Sequence, residues 1–186
     1  MKNVRSLMIV LLGVLTFISC RKDTNDTEPI GKKENSSARI DASQLDEYLV
    51  FGYVGLGWGC GTEALYLING NKLYVDTTGA YCQKGNEYVF NGVQLPDSQY
   101  VKAKGMVEFF PEAMRSVSGT TFGCPGCADG GMLFLQLKQK GVALKSWRVD
   151  DSVFYRGTDV LNNAFPEYLP KYGLIAFNVI QSLKNK

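Results

Sequence analysis

The sequence predicts an α+β fold, a single domain in which an antiparallel β-sheet of two hairpins packs against a C-terminal helix and a broken central helix. Three observations carry this. Asn69-Gly70-Asn71 separates two short aromatic and β-branched runs, residues 63–69 and 72–76, in the pattern of a tight hairpin. A second pair of runs, Met132 to Leu137 and Val142 to Asp150, is joined at Gln139-Lys140-Gly141. Near the C-terminus Leu169, Tyr172, Ile175, Ala176, Val179, Ile180 and Leu183 recur at the spacing of one helical face, with Lys184 and Lys186 suiting its negative end.

Taken in chain order, the first element is not part of the fold. Lys2 and Arg5 precede an almost wholly apolar run from Leu7 to Ile18, and Ser19 sets a small residue before Cys20, the layout of a bacterial secretory signal. A membrane span takes roughly 20 apolar residues, and Arg21, Lys22 and Asp23 stop the run short of that. Phe17-Ile18-Ser19-Cys20 resembles the lipobox of bacterial lipoproteins, with Phe17 where Leu is usual. The resemblance implies diacylation of the Cys20 thiol, cleavage before it, and a lipid bilayer as partner through the N-terminal acyl anchor. Residues 1–19 are therefore expected to be a cleaved lipoprotein signal peptide. Residues 20–46 hold few apolar side chains, cannot offset ordering entropy by burial, and read as the lipidated cysteine plus a flexible tether. Residues 47–186 remain as the globular domain, placed in the cell envelope: outer membrane, periplasmic or surface-exposed.

Within that domain residues 48–54 (YLVFGYV) read as a strand ahead of the first hairpin. Residues 88–95 add either a strand or a short hairpin interrupted at Asn91-Gly92. Residues 99–117 read as helix, with Gly105 and Pro111 breaking it. A glycine-rich loop over residues 119–131 leads into the second hairpin.

Composition excludes several functions. The chain holds 20 Lys and Arg against 18 Asp and Glu, and because Lys2 and Arg5 fall in the signal, the remainder is balanced. Such a balance attracts neither nucleic acid nor an anionic lipid surface. There is no histidine, which removes His-based triads, the usual zinc hydrolase sites and the commonest general base. No phosphate-cradling glycine loop and no EF-hand loop is present, and no cofactor is expected.

With Cys20 assigned to lipid, Cys60, Cys82, Cys124 and Cys127 remain, an even number that reads as a disulfide framework in an oxidising compartment. Cys60 with Cys82 and Cys124 with Cys127 is one pairing; bridges from the first two to the last two are the others. The Cys124-Pro125-Gly126-Cys127 loop has two further readings. Zinc would want a second close pair of ligands, which the chain lacks. A thioredoxin-like redox site would want a helix starting at the motif, whereas Asp129-Gly130-Gly131 and an apolar strand follow. Glu63, Asp129, Asp150 and Asp151 fall near turns where a cleft could bring two carboxylates together, as glycoside hydrolysis requires, but spacing along the chain does not assign a catalytic pair. Tyr53, Trp58, Tyr66, Tyr74, Tyr81, Trp147 and Tyr155 cluster around the strands and the GLGWGCG loop. Of the groups able to face a ligand, Trp58, Asp129 and Trp147 are the candidates.

The signal, GLGWGCGTEALYLINGNKLYVDT, FGCPGCADGGMLFLQL and SWRVDD together resemble an uncharacterised lipoprotein family of Bacteroidota with a lipobox and a C-x-x-C-x-D-G-G loop. The resemblance implies export and one folded unit over most of residues 48–180, and no activity. Gly126 departs from it, standing where Asp is expected, which takes a carboxylate from the loop. The expected function is a non-enzymatic binding or structural module with a protein or glycan partner in the envelope. The other reading is a thiol-redox or carboxylate-dependent enzyme using the CPGC/ADGG loop.

Overall fold

Alternating apolar side chains build an α+β domain around one mixed sheet in the computed structural model, which describes residues 38–117, 120–154 and 165–185, without the side chains of residues 62 and 63. The signal segment, Cys20 and Tyr155 lie outside the described residues, as does the side chain of Glu63. The strands are β1 (Arg39–Asp41), β2 (Tyr48–Gly55), β3 (Gly61–Asn69), β4 (Lys72–Asp76), β5 (Asn91–Gln94), β6 (Thr120–Phe122), β7 (Gly131–Lys138) and β8 (Lys145–Asp150). Their spatial order is β1-β5-β4-β3-β2-β7-β8-β6. Every neighbouring pair is antiparallel except β6 with β8. Both expected hairpins are present. Asn69 pairs with Lys72 across the first turn, and Leu137 with Lys145 flanks the second.

The period of two sorts side chains between two cores. Leu49, Phe51, Tyr66, Ile68, Leu133, Leu135, Trp147 and Val149 enter the core beneath the helices. These helices are α2 (Asp97–Ala103), α3 (Gly105–Glu108) and α4 (Glu112–Ser116), followed after β8 by the C-terminal helix, Tyr168–Lys184. The central helix is broken near Gly105 and Pro111, as its sequence implies. The C-terminal helix buries Leu169, Tyr172, Ala176, Val179, Ile180 and Leu183, and the Tyr172 hydroxyl donates to the Met106 carbonyl at 2.8 Å. Val50, Val54, Leu65, Leu67, Tyr74, Met132 and Phe134 point the other way, into a smaller core closed by Ala42 and by α1 (Ala80–Lys84) with its continuation to Phe90.

Two expectations need correction, and a third, open between strand and hairpin, is decided. The segment expected as tether is not irregular to residue 46. Arg39–Asp41 forms β1 against β5, and the Ala42 N–H donates to the Phe90 carbonyl at 2.9 Å. Ile40, Ala42 and Leu45 supply the apolar surface that makes this worthwhile. Asn91-Gly92 is not a turn; it opens β5, where a Cβ on Gly92 would strike the Phe90 ring at 2.7 Å. Trp147 offers no face to a ligand. It is fully buried, 5.6 Å from the Phe110 ring, because the alternation in β8 directs it into the helical core.

Candidate functional site

One end of the sheet gathers the loops singled out by sequence. Gly55, where β2 ends, pairs with both Gly61 and Gly131, so the β2–β3 loop and the CPGC loop leave the sheet side by side. The Leu56 N–H donates to the Gly130 carbonyl at 3.2 Å. Gly57 lies so close to the other loop that a Cβ there would sit 2.9 Å from the Asp129 carbonyl oxygen. Any larger residue would force the loops apart. At the tip of the first loop Trp58 is fully exposed.

Covalent closure holds both loops. Cys60 and Cys82 form a disulfide with Cα atoms 5.4 Å apart, tying the Trp58 loop to α1; Cys124 and Cys127 form the second, 5.5 Å apart, inside the CPGC loop. The four thiols are thus engaged with one another. Cys127 opens a single 3-10 turn, not an α-helix, so no helix dipole bears on the pair.

The carboxylates near this end fasten backbone. Asp150 accepts from the Cys124 N–H at 3.0 Å and the Ser152 N–H at 2.9 Å. Asp151 accepts from the Gly131 N–H at 2.7 Å and the Tyr53 hydroxyl at 3.1 Å. Asp129 is exposed, with φ of 59° beside Ala128 at 51°, a left-handed pair that only a constrained loop sustains. Among the described residues no three Cys, Asp or Glu groups converge as a metal site.

A third anchor, not foreseen from sequence, is Asp76 at the end of β4. Although only 4% exposed, it accepts from the Thr78 N–H at 2.8 Å, the Thr78 hydroxyl at 2.6 Å and the Tyr88 hydroxyl at 2.8 Å. Burial raises the Asp76 carboxyl, but these hydrogen bonds outweigh it and hold the group below its ordinary value. The Tyr88 hydroxyl is pushed far above the usual phenol range by burial and by the Asp76 charge it donates to. Tyr81 and Tyr88 then pack their rings 4.7 and 6.3 Å from Phe134 of β7, which seats α1 over the sheet.

Between α1 and β6 the described residues leave a hollow over the face of the sheet. A cleft of about 260 Å³ runs there over Phe134, Gln136, Ser146 and Arg148, walled by Asn86 and Thr121. It continues past Arg148 into a second hollow of about 290 Å³ that reaches Pro125 and the Leu56 and Cys60 ends of the Trp58 loop. Arg148 donates to the Asn86 side-chain carbonyl. Burial raises the Tyr81 hydroxyl, and the Arg148 guanidinium beside it opposes that shift. The sequence signal of this cleft is the polar pair Gln136 and Arg148 interrupting the apolar alternation of β7 and β8 on one face.

Comparison of the chain with protein-family models, curated proteins and solved structures finds no match.

Proposed function

We propose that this chain is a cell-envelope lipoprotein, anchored through Cys20, whose folded domain is a non-enzymatic module binding an envelope glycan through the end of the sheet that carries Trp58. One observation carries the reading: a fully exposed tryptophan stands on a loop that is closed by a disulfide and braced against a second closed loop. Exposing an indole forfeits the gain of burying it, about 25 cal/mol per Å² of apolar surface. A rigid aromatic platform recovers that on contact with the apolar face of a ligand and loses little conformational freedom in doing so. The Asp150 and Asp151 carboxylates accept backbone N–H groups and stand as fasteners of this platform, which favours binding over acid–base chemistry.

Two experiments test it. Calorimetry of the full chain against purified peptidoglycan fragments and surface polysaccharides is expected to find a binder, with Trp58→Ala weakening it about tenfold or more. Equal affinity of parent and variant would remove Trp58 from the reading. Metabolic labelling with a fatty-acid probe is expected to mark the parent and not Cys20→Ala; a labelled variant would refute the anchor.

A further inference from the structure

We propose that the cleft around Arg148 receives a uronic-acid residue, so that the ligand of this domain is an acidic glycan. The inference rests on the glycan-binding reading above and adds the charge of the sugar and the residues that read it.

The cleft is built by strand register. Phe134 pairs with Arg148 and Gln136 with Ser146, which places all four on one face, with Gln136 and Arg148 as diagonal neighbours within reach of each other's long side chains. Gln136 is only 3% exposed, and its carbonyl oxygen has no hydrogen-bond partner among the described residues. Its amide nitrogen reaches the Ser146 hydroxyl at 3.4 Å, at the weak end of the range. An unpaired buried acceptor costs about 1–3 kcal/mol, so a polar side chain is kept at a cost at the base of the cleft, where an apolar one would pack as Phe134 does.

Charge narrows the ligand further. Arg148 is the one ionised side chain among the described residues lining the two hollows, and its guanidinium has five N–H donors, of which Asn86 and Tyr81 occupy part. A planar guanidinium fits a carboxylate through two parallel bonds. Among the described residues no Asp or Glu lines either hollow, so none of them would meet the ammonium of an amino acid. The remaining walls, Asn86, Thr121, Gln136 and Ser146, are neutral groups that both donate and accept, suited to ring hydroxyls, while Tyr81 and Phe134 floor the cleft with carbon. One negative charge, several hydroxyls and an apolar ring face describe a uronic acid. Because the hollows lead from Arg148 to the two ends of the Trp58 loop, a chain of such sugars would extend toward the exposed indole.

The test is calorimetric titration of the full chain with oligogalacturonate and oligoglucuronate, against the matching neutral galactose and glucose oligomers and the methyl-esterified uronates. The parent is expected to bind a free uronate and to lose about tenfold or more in affinity on esterification. Arg148→Gln is expected to show the same loss toward the free uronate and little change toward any neutral oligomer. Gln136→Glu sets a carboxylate beside Arg148 in place of the ligand's and is expected to weaken uronate binding alike; circular dichroism melts establish that both variants are folded. Folded variants that bind uronates as the parent does, or a parent that prefers neutral oligomers while Trp58→Ala still weakens them, would overturn this inference and leave the glycan reading standing. A full chain that binds none of the uronate or neutral oligomers and no other glycan would overturn both.

Discussion

Removing the Cys60–Cys82 bridge is expected to cost far more stability than removing Cys124–Cys127. The first closes a separation of 22 residues and the second a separation of 3. In the chain-entropy relation these lengths correspond to about 3.4 and about 1.6 kcal/mol. Burial adds little to either figure, since Cys60, Cys124 and Cys127 are exposed and Cys82 is half-buried. The short bridge is also duplicated: Asp150 holds the Cys124 N–H and Asp151 the Gly131 N–H, so the loop ends stay fastened without it. Differential scanning calorimetry of Cys60→Ala/Cys82→Ala is expected to show a fall in Tm of about 7–14 °C, against about 3–6 °C for Cys124→Ala/Cys127→Ala. Urea titration of the first variant is expected to give a steeper slope, because its unfolded chain opens further. A larger loss from the CPGC variant would refute the reasoning and make closure of that loop the main brace of this end of the sheet.

Trp147→Ala is expected to cost about 3–5 kcal/mol by leaving a cavity beside Phe110, whereas Trp147→Phe, which also removes an indole N–H without a partner among the described residues, is expected to cost under about 1.5 kcal/mol; urea denaturation measures both. Asp76 titrates in the folded state below its ordinary value of 3.8, so its contribution to stability is full above that pH and is lost as pH falls through the lower folded value. Asp76→Asn is accordingly expected to flatten the acid limb of the Tm–pH curve below about pH 4, and an unchanged limb would refute the assignment. Asp151→Ala leaves the Gly131 N–H and the Tyr53 hydroxyl without this acceptor and is expected to cost about 2 kcal/mol, with faster amide exchange at Gly131 read by NMR.

The elements legible in the sequence are those whose signal is local and long. The hairpin at Asn69-Gly70, the paired runs of β7 and β8, and the helical face from Leu169 to Leu183 each repeat a period often enough to be read. What escaped is short and fixed by distant partners. β1 has a single half-buried residue, Ile40, between two exposed ones, and β6 spans only Thr120–Phe122. The helix α1 is five residues between glycines, seated by Tyr81, Cys82 and the remote Phe134. The candidate site divides the same way. Trp58, Asp129 and the four cysteines announce themselves as residue types in a glycine-rich setting, and all lie at one end of the sheet. Trp147 has the same chemistry as Trp58, and only the register of β8 against β7 sends it inward. Gln136, Arg148 and Asn86 become neighbours through that register and the placement of the turn after α1, neither of which a linear reading contains.

The seam between β2 and β7 runs through eight register pairs, from Tyr48 with Lys138 to Gly55 with Gly131. It divides the sheet into the first five strands of the chain on one side and the last three on the other. The hairpins on either side can form from neighbouring residues, but the seam cannot begin until the chain between its strands has looped back, and contacts of such separation set slow folding rates. The Cys60–Cys82 bridge lies inside that loop and takes 22 residues out of its contour. Closure entropy grows only with the logarithm of length, so the shortening eases the search by roughly 0.3 kcal/mol. Oxidation therefore steadies the first half of the sheet and leaves the rate at which the two halves meet almost as it was in the reduced chain.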